Sequence, residues 1–420
     1  MKVLVVGGGG REHAIVWKLS QSSQITEILC APGNPGIARL ARCIPIPATD
    51  LEALADMARQ ENVDLTIIGP EDPLVQGIVD LFTERGLAVF GPTQAAAAIE
   101  GSKAFSKELM QKYGIPTAQY AVFTEHDAAL QYCAGQTFPL VVKADGLALG
   151  KGVFICETYA QAEDALRQLM LSQSFGSSGQ TVVIEEYLTG PEVSVLAFSD
   201  GKTIAPMASA KDHKRAYDGD SGPNTGGMGA ISPNPHYVEN ENTADICMRT
   251  IFEPTVKAMA TEGRPFVGVL YFGLMLTPEG PYVIEYNCRF GDPETQAVLP
   301  RMETDLLEVI LACLQGRLSE VPLRFRAEAC AAVVAASGGY PGAYEKGLPI
   351  DIKPIPGPDA YIFHAGTSTD SQGRIVTNGG RVLAASALGQ NLPDAIANAY
   401  RALANIYFSG MEYRRDIGKS

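Results

Sequence analysis

The first hundred residues carry a punctuation that few folds accept. Val3-Leu4-Val5-Val6 is a short unbroken apolar run, the pattern of a strand covered on both faces. Glycines at 7–10 stop it, and a helical pattern follows over Glu12–Leu19. The cycle then repeats. A strand is predicted at Ile25–Cys30, a helix at Leu51–Gln60 with Asp50 as N-cap, and a strand at Leu65–Ile68 halted by Gly69-Pro70. A helix at Val75–Arg85 and a strand at Leu87–Phe90 complete the series. Strands and helices in this alternation build a parallel, doubly wound sheet.

Beyond about Ser102 the texture changes. A helix over Lys103–Tyr113 ends at Gly114-Ile115-Pro116, and a strand at Pro139–Lys143 runs into a glycine-rich loop. A helix at Thr158–Leu171, a Gly/Ser-rich loop at 173–179, and strands at Val182–Tyr187 and Glu192–Phe198 follow. Pro206–Ser232 is polar and too long for a mere connector. Next come a helix at Thr243–Glu262, strands at Val267–Leu276 and Tyr282–Tyr286, and a helix at Asp305–Gln315. After Pro322, strands at Ala329–Ala336, Tyr361–His364 and Arg381–Ala387 and a helix at Pro393–Tyr407 read as a small α/β domain. A length of 420 residues has room for about three domains. They are expected at 1–101, 102–326 and 327–420, with a mobile lid at about 122–190.

The chain is acidic: 33 basic against 47 acidic residues give a net charge of −14. Neither nucleic acid nor an anionic membrane surface is an expected partner, because both are held by Lys and Arg. A phosphate-bearing ligand must be held locally, by backbone amides and a few well-placed bases. The longest apolar run, Ala329–Ala336, is far below the ~20 residues that span a bilayer. The N-terminus has too short an apolar core for a secretory signal. The eight cysteines are scattered, and none forms Cys-x-x-Cys. They read as free thiols of a cytoplasmic protein, not as a zinc site or a disulfide framework.

Four segments carry chemistry. Gly7-Gly8-Gly9-Gly10-Arg11-Glu12-His13 lies between strand and helix, where glycines let an anion approach the helix amides. Its spacing departs from a dinucleotide fingerprint, and no acidic residue closes the next strand, so a tight turn is the competing reading. Lys143 at a strand end, then Gly146, Gly150, Lys151 and Gly152, suits a polyphosphate under a flap and is not a P-loop. Glu185-Glu186-Tyr187-Leu188, with Glu192, offers acceptors for an adenine edge and a ribose, against the alternative of an exposed strand end. Glu285 and Asn287 share one strand face, since side chains alternate with period two. Two such oxygens suit Mg²⁺, which completes its shell with phosphate oxygens and water. Arg289 follows two residues on and brings a cation to the same phosphates, unless the group is a salt-bridge cluster.

In order and spacing these segments resemble the ATP-grasp ligases. Gly-Gly-Arg-Glu-His at 9–13, Gly-Pro-Glu at 69–71, Asp-His-Lys-Arg at 212–215, Gly-Pro-Asn-Thr-Gly-Gly-Met-Gly-Ala at 222–230, Arg-Phe-Gly-Asp-Pro-Glu-Thr-Gln at 289–296 and Thr-Asn-Gly-Gly-Arg-Val-Leu at 377–383 narrow the resemblance to the glycinamide ribonucleotide synthetase family. It covers essentially the whole chain.

The resemblance implies ATP-dependent ligation of glycine to 5-phosphoribosylamine through a glycyl phosphate, with Mg²⁺ or Mn²⁺, by a monomer or weak homo-oligomer. It implies catalytic roles for Arg289, Asp292 and Asp212. ATP would contact Lys103, Lys143, Gly146, Gly150, Lys151, Gly152, Glu185, Glu186, Leu188 and Glu192. Gly10, Arg11, Glu71, Asp292 and Arg381 would surround phosphoribosylamine, and Glu285 and Asn287 would hold the metal. Many ATP-grasp enzymes carry a metal carboxylate on the preceding strand; Tyr271-Phe272-Gly273-Leu274-Met275-Leu276 offers none. Another carboxylate–amine ligase, a nicotinamide-dependent dehydrogenase and a non-catalytic nucleotide sensor are the competing readings.

Overall fold

A computed structural model describes residues 1–420 except 148–151, 173–178, 240–241, 356, 358 and 420. The N-terminal sheet is parallel throughout, in the order Arg42–Cys43, Glu27–Pro32, Lys2–Gly7, Leu65–Ile68, Val89–Phe90. The first strand is central because the chain winds to one side of it and then to the other. The carboxyl ends of Lys2–Gly7 and Leu65–Ile68 therefore lie side by side at the switch point, where such sheets bind ligands. That crevice receives the glycine turn and the Gly69–Glu71 segment. The first helix begins at Gly10, two residues before its predicted start. The helix predicted over Val75–Arg85 is two short ones, Glu71–Val75 and Ile78–Glu84, broken at Gly77 with φ of 91°.

Two antiparallel sheets form the central region. One runs Tyr120–Phe123, Val182–Glu186, Leu140–Ala144, Val153–Cys156 and covers its own small core, including Val142, Leu166 and Ile184. The other runs Ile204–Pro206, Glu192–Asp200, Val267–Thr277, Gly280–Asn287. Its outer strand packs on a core shared with the N-terminal sheet, which fixes the two bodies together.

The C-terminal sheet recruits residues from well before the expected boundary. Its order is Lys211–Asp212, Gly229–Ser232, Ala329–Ser337, Arg381–Gly389, Ala360–His364. Strands from within 102–326 and from 327–420 are thus hydrogen-bonded neighbours. The polar stretch 206–232 supplies two of these strands and the hairpin Arg215–Tyr217/Ser221–Asn224. Among the described residues no helix is long and apolar enough to cross a membrane.

Candidate active site

The strand Gly280–Asn287 positions the centre. Tyr286 turns inward against Phe272 and meets Thr255 Oγ1 at 2.9 Å. Alternation then sends Glu285 and Asn287 to the opposite face, as the sequence predicts. A bulge opposite Gly273–Leu274 resets the register just before Glu285. Gly273 faces Glu285 across the ladder, where a Cβ would stand 2.9 Å from the Glu285 Cγ. Glycine is the residue that leaves room for that carboxylate.

Glu285 Oε1 lies 3.0 Å from Lys214 Nζ, which also reaches Glu192 Oε2 at 3.5 Å. Lys214 foremost, with Lys143 and Lys103, draws the Glu285 carboxyl down to about 2, against the opposing effect of burial. Three lysines thus surround one carboxylate in an otherwise acidic chain. Lys214 lies in the Asp-His-Lys-Arg segment, yet sequence reading gave it no role. Asn287 Oδ1 accepts from Arg289 Nη2 at 3.3 Å.

Arg289 differs from the sequence expectation. Its Nε donates to Glu71 Oε2 at 3.0 Å, and its Nη2 lies 3.2 Å from Glu100 Oε1. Glu100 Oε2 in turn accepts the Cys288 amide at 2.7 Å. The guanidinium is matched by two carboxylates, and it braces the strand end and Glu71 while reaching Asn287 on the expected metal face. Burial opposes the Arg289 charge, but Glu100 and Glu71 outweigh it and hold its pKa well above the usual range.

The residues expected on the nucleotide side converge from three elements. Lys143 Nζ donates to Glu185 Oε2 at 2.9 Å and to the Ile284 carbonyl at 3.1 Å. Lys103 Nζ donates to the Gly146 carbonyl at 2.9 Å, and Gly146 has a φ of 98°. Asp145 accepts from the Ala104 amide and from Ser102 Oγ at the start of that helix, which docks the loop there. Gly152 closes the strand pair through its carbonyl to the Ala144 amide. Gly150 and Lys151 lie outside the described residues. Glu185 is buried, not exposed as the competing reading had it, and its Oε1 has no partner among the described residues. Glu186 is exposed and accepts the Gln119 amide at 2.8 Å, and Leu188 follows where the chain leaves the sheet. Sequence reading missed Lys107, whose Nζ is 3.0 Å from Glu185 Oε2. Its signal was available: it stands one helical turn after Lys103, on the same face.

The switch-point crevice gathers the remaining residues. Glu71 Oε2 is shared by Arg289 and, at 3.5 Å, by Arg11. Burial works against the Glu71 carboxylate, but Arg289 and Arg11 prevail and hold it at about 2. Arg11 Nε also donates to Glu12 Oε1 at 2.6 Å. The Gly9 amide donates to Glu12 Oε2 at 2.6 Å, so a carboxylate from the chain itself already sits at the positive helix end. Gly10 has a packing reason to be glycine, since a Cβ there would lie 2.6 Å from Gln296 Nε2.

Arg381 Nη2 lies 3.1 Å from Asp292 Oδ2, and its Nη1 donates to the Gly226 and Asp292 carbonyls. Gln296 Nε2 donates to Asp292 Oδ1 at 2.7 Å. Arg381, expected to meet a phosphate, thus also ties the 226–227 turn to the Asp292 loop. Asp212 has a buried Oδ1 without a partner among the described residues, and burial, then Glu294, raises its carboxyl well above the ordinary range.

No group of three or more His, Cys, Asp or Glu among the described residues is arranged to hold a metal. Glu285 and Asn287 still fit a hard cation: one carboxylate and one amide oxygen on one face suffice when phosphate oxygens complete the shell.

This arrangement has counterparts along the entire chain. Residues 1–100, 101–295 and 330–420 match the N, ATP-grasp (A) and C domains of phosphoribosylglycinamide synthetase. The phosphoribosylamine–glycine ligase of Caldanaerobacter subterraneus is 50% identical, covering 99% of each chain. That of Nostoc is 52% identical over 100% of this chain and 99% of its own. The crystal structure of the Thermotoga maritima phosphoribosylamine–glycine ligase superposes with a TM-score of 0.87 at 33% identity, each chain covered in full. A 2-oxoglutarate carboxylase biotin carboxylase domain from Hydrogenobacter thermophilus, solved with magnesium ADP, shares the fold alone, with a TM-score of 0.73 at 18% identity over 98% of this chain and 91% of that one. With all three domain models matched in order and relatives near half identity end to end, the chain belongs to the phosphoribosylglycinamide synthetase family.

Proposed function

We propose that the chain is an ADP-forming carbon–nitrogen ligase that joins glycine to 5-phosphoribosylamine in purine biosynthesis, giving glycinamide ribonucleotide, ADP and phosphate. The observation that supports this best is the gathering of Lys214, Lys143 and Lys103 around Glu285. A folded acidic protein has no structural need for three cations there, whereas a polyphosphate does. The reading also rests on the end-to-end likeness to ligases of that name.

The chemistry assigns the residues. A carboxylate is a poor electrophile until one of its oxygens attacks the terminal phosphorus of ATP and ADP departs, leaving glycyl phosphate. The amine of phosphoribosylamine then attacks the carbonyl carbon, and phosphate leaves with the glycine oxygen. Lys103, Lys143 and the loop of Gly146, Gly150, Lys151 and Gly152 hold the phosphates, with residues 122–190 as a mobile lid. Glu185, Glu186 and Leu188 read the adenine edge, and Glu192 the ribose. Glu285 and Asn287 would hold Mg²⁺ or Mn²⁺, which when bound neutralises charge on the transferring phosphoryl group. Gly10, Arg11, Glu71 and Arg381 line the phosphoribosylamine pocket, and Asp292 faces its amine. Asp212, whose buried Oδ1 has no partner among the described residues, is the carboxylate assigned to the proton that the attacking amine releases. Arg289 keeps Glu71 and Asn287 in place for both halves of the reaction. The setting is cytoplasmic, with no nucleic acid or membrane partner, and the enzyme is a monomer or weak homo-oligomer.

Omitting each substrate in turn tests the reading. ADP release should require glycine and phosphoribosylamine together. ADP release with another carboxylate, at equal rate and without glycine, would assign the site to a sister ligase.

A further inference from the structure

Beneath the nucleotide face lies a buried ion cluster, one member of which, Lys107, has no part in the reaction chemistry above. Lys107 is 2% exposed. Its Nζ lies 3.0 Å from Glu185 Oε2 and donates to Thr117 Oγ1 at 2.8 Å. The same Glu185 oxygen receives Lys143 Nζ at 2.9 Å. Two ammonium groups therefore crowd one carboxylate oxygen, while Oε1 of the same group is buried with no partner among the described residues. A simple structural ion pair needs one cation and wastes no acceptor, because a buried oxygen without a donor is costly.

The cluster is also wired to both sides of the site. Thr117 Oγ1 donates to the Val283 carbonyl at 2.8 Å, on the strand that carries Glu285. Val283 donates its amide to Pro116. The Tyr120 ring lies 5.7 Å from Lys107 Nζ, on the first strand of the lid sheet. Lys107 thus joins the helix Lys103–Tyr113, the lid sheet and the Glu285 strand at one point. Burial draws its ammonium down to about 8, with Glu185 the main opposing influence.

We propose that Lys107 is a positioning residue for nucleotide selection. Together with Lys143 it holds Glu185 by Oε2, so that Oε1 stands as a bare acceptor for the exocyclic amine of a 6-aminopurine. A 6-oxopurine would set a carbonyl oxygen against that carboxylate and leave both without a donor. Sites built to hydrogen-bond one group reject its analogue far more strongly than apolar pockets do. The proposal rests on the reading of 185–192 as the purine and ribose site.

The experiment compares ATP with inosine triphosphate in the wild type and in Lys107→Met, which keeps the length and removes the charge. The wild type should favour ATP. In Lys107→Met the KM for ATP should rise about tenfold and the ATP preference in kcat/KM should narrow by about tenfold, with kcat at saturating ATP nearly unchanged. A purely structural role would lower the melting temperature and leave that preference where it was, which would overturn the proposal. If Lys107→Met does not fold, Thr117→Val removes one of the lysine's acceptors and should narrow the preference in the same direction; an unaltered preference again overturns the role. A wild type that releases no glycine-dependent ADP would sink the ligase reading itself, a different result from an active enzyme whose preference ignores Lys107.

Discussion

Glu285 is the residue on which the proposed phosphate chemistry turns. Glu285→Gln keeps the shape of the side chain and removes the charge that faces Lys214, 3.0 Å away. The metal concentration for half-maximal activity should rise by about 10- to 100-fold, with part of kcat recovered at high metal. The melt should move little, because Lys214 retains Glu192 at 3.5 Å. Activity measured against Mg²⁺ concentration, beside a thermal melt, checks this. A destabilised variant with ordinary metal dependence would make Glu285 a salt-bridge partner only. Glu285 and Asn287 were legible because a spacing of two on a strand is local information. The partners of Arg289 were not. Glu71 and Glu100 lie far upstream, and only the switch-point crevice brings them together. The same holds for Lys214 and Glu285: Lys214 lies between the strands Lys211–Asp212 and Arg215–Tyr217, far in sequence from the strand Gly280–Asn287.

At the scale of elements, the sheet of the proposed lid carries its own core and meets the helix Lys103–Tyr113 through Asp145, Gly146, Glu185 and Tyr120. A body held by few contacts opens locally at low cost, and a ligand that binds its closed form slows that opening. ATP should therefore slow amide hydrogen exchange over residues 140–147 and 182–186, while Leu4 and Val6 in the N-terminal sheet, already buried, change little. Equal exchange in the lid strands with and without saturating ATP would contradict a closing lid.

The long strands of the central sheet were legible from apolar runs, and Lys103–Tyr113 from its Gly114 stop. The strands Tyr120–Phe123 and Val153–Cys156 were not. They are four residues long, and their apolar runs, Tyr120-Ala121-Val122-Phe123 and Val153-Phe154-Ile155-Cys156, are too short to stand out from the loops that flank them. The helix His126–Ala134 was missed for a related reason: only Ala129 and Cys133 of its nine residues are buried.

Across the whole molecule, the N- and C-terminal parts are joined by buried polar groups. The His364 amide donates to His13 Nδ1 at 2.8 Å, and Asn34 Nδ2 donates to both the Gly8 and His364 carbonyls. The His213 ring accepts the Gly418 amide at 3.1 Å and so anchors the C-terminal residues to the Asp212 strand. Burial, the largest influence in each case, draws His13 down to about 3 and His213 and His364 to about 4. These groups bind fewer protons folded than unfolded once the pH falls below about 6.5, so stability falls with pH from there. The Glu71 carboxylate, held near 2 from an ordinary 4.5, adds its loss only below that value. Between pH 6.5 and 4.5 the decline therefore belongs to the histidines, at about 2 kcal/mol each by the lower limit. Thermal melts across this window should show it, and His364→Gln should flatten the slope. A flat wild-type profile would mean that the rings are not buried neutral.

The three-part order was legible in the change of texture along the chain. The sheet that crosses residues 326 and 327 was not, because strand pairing between 229–232 and 329–337 is a long-range choice.

The central claim is that glycine is activated by phosphoryl transfer before the amine attacks. Glycine labelled with heavy oxygen in its carboxylate tests it directly. If a carboxylate oxygen attacks the terminal phosphorus of ATP, the phosphate released in a complete reaction must carry one oxygen from glycine, and mass spectrometry of that phosphate reads it. Phosphate with one labelled oxygen per ADP formed is the result predicted here. Unlabelled phosphate, in a reaction that still makes the amide, would contradict the account.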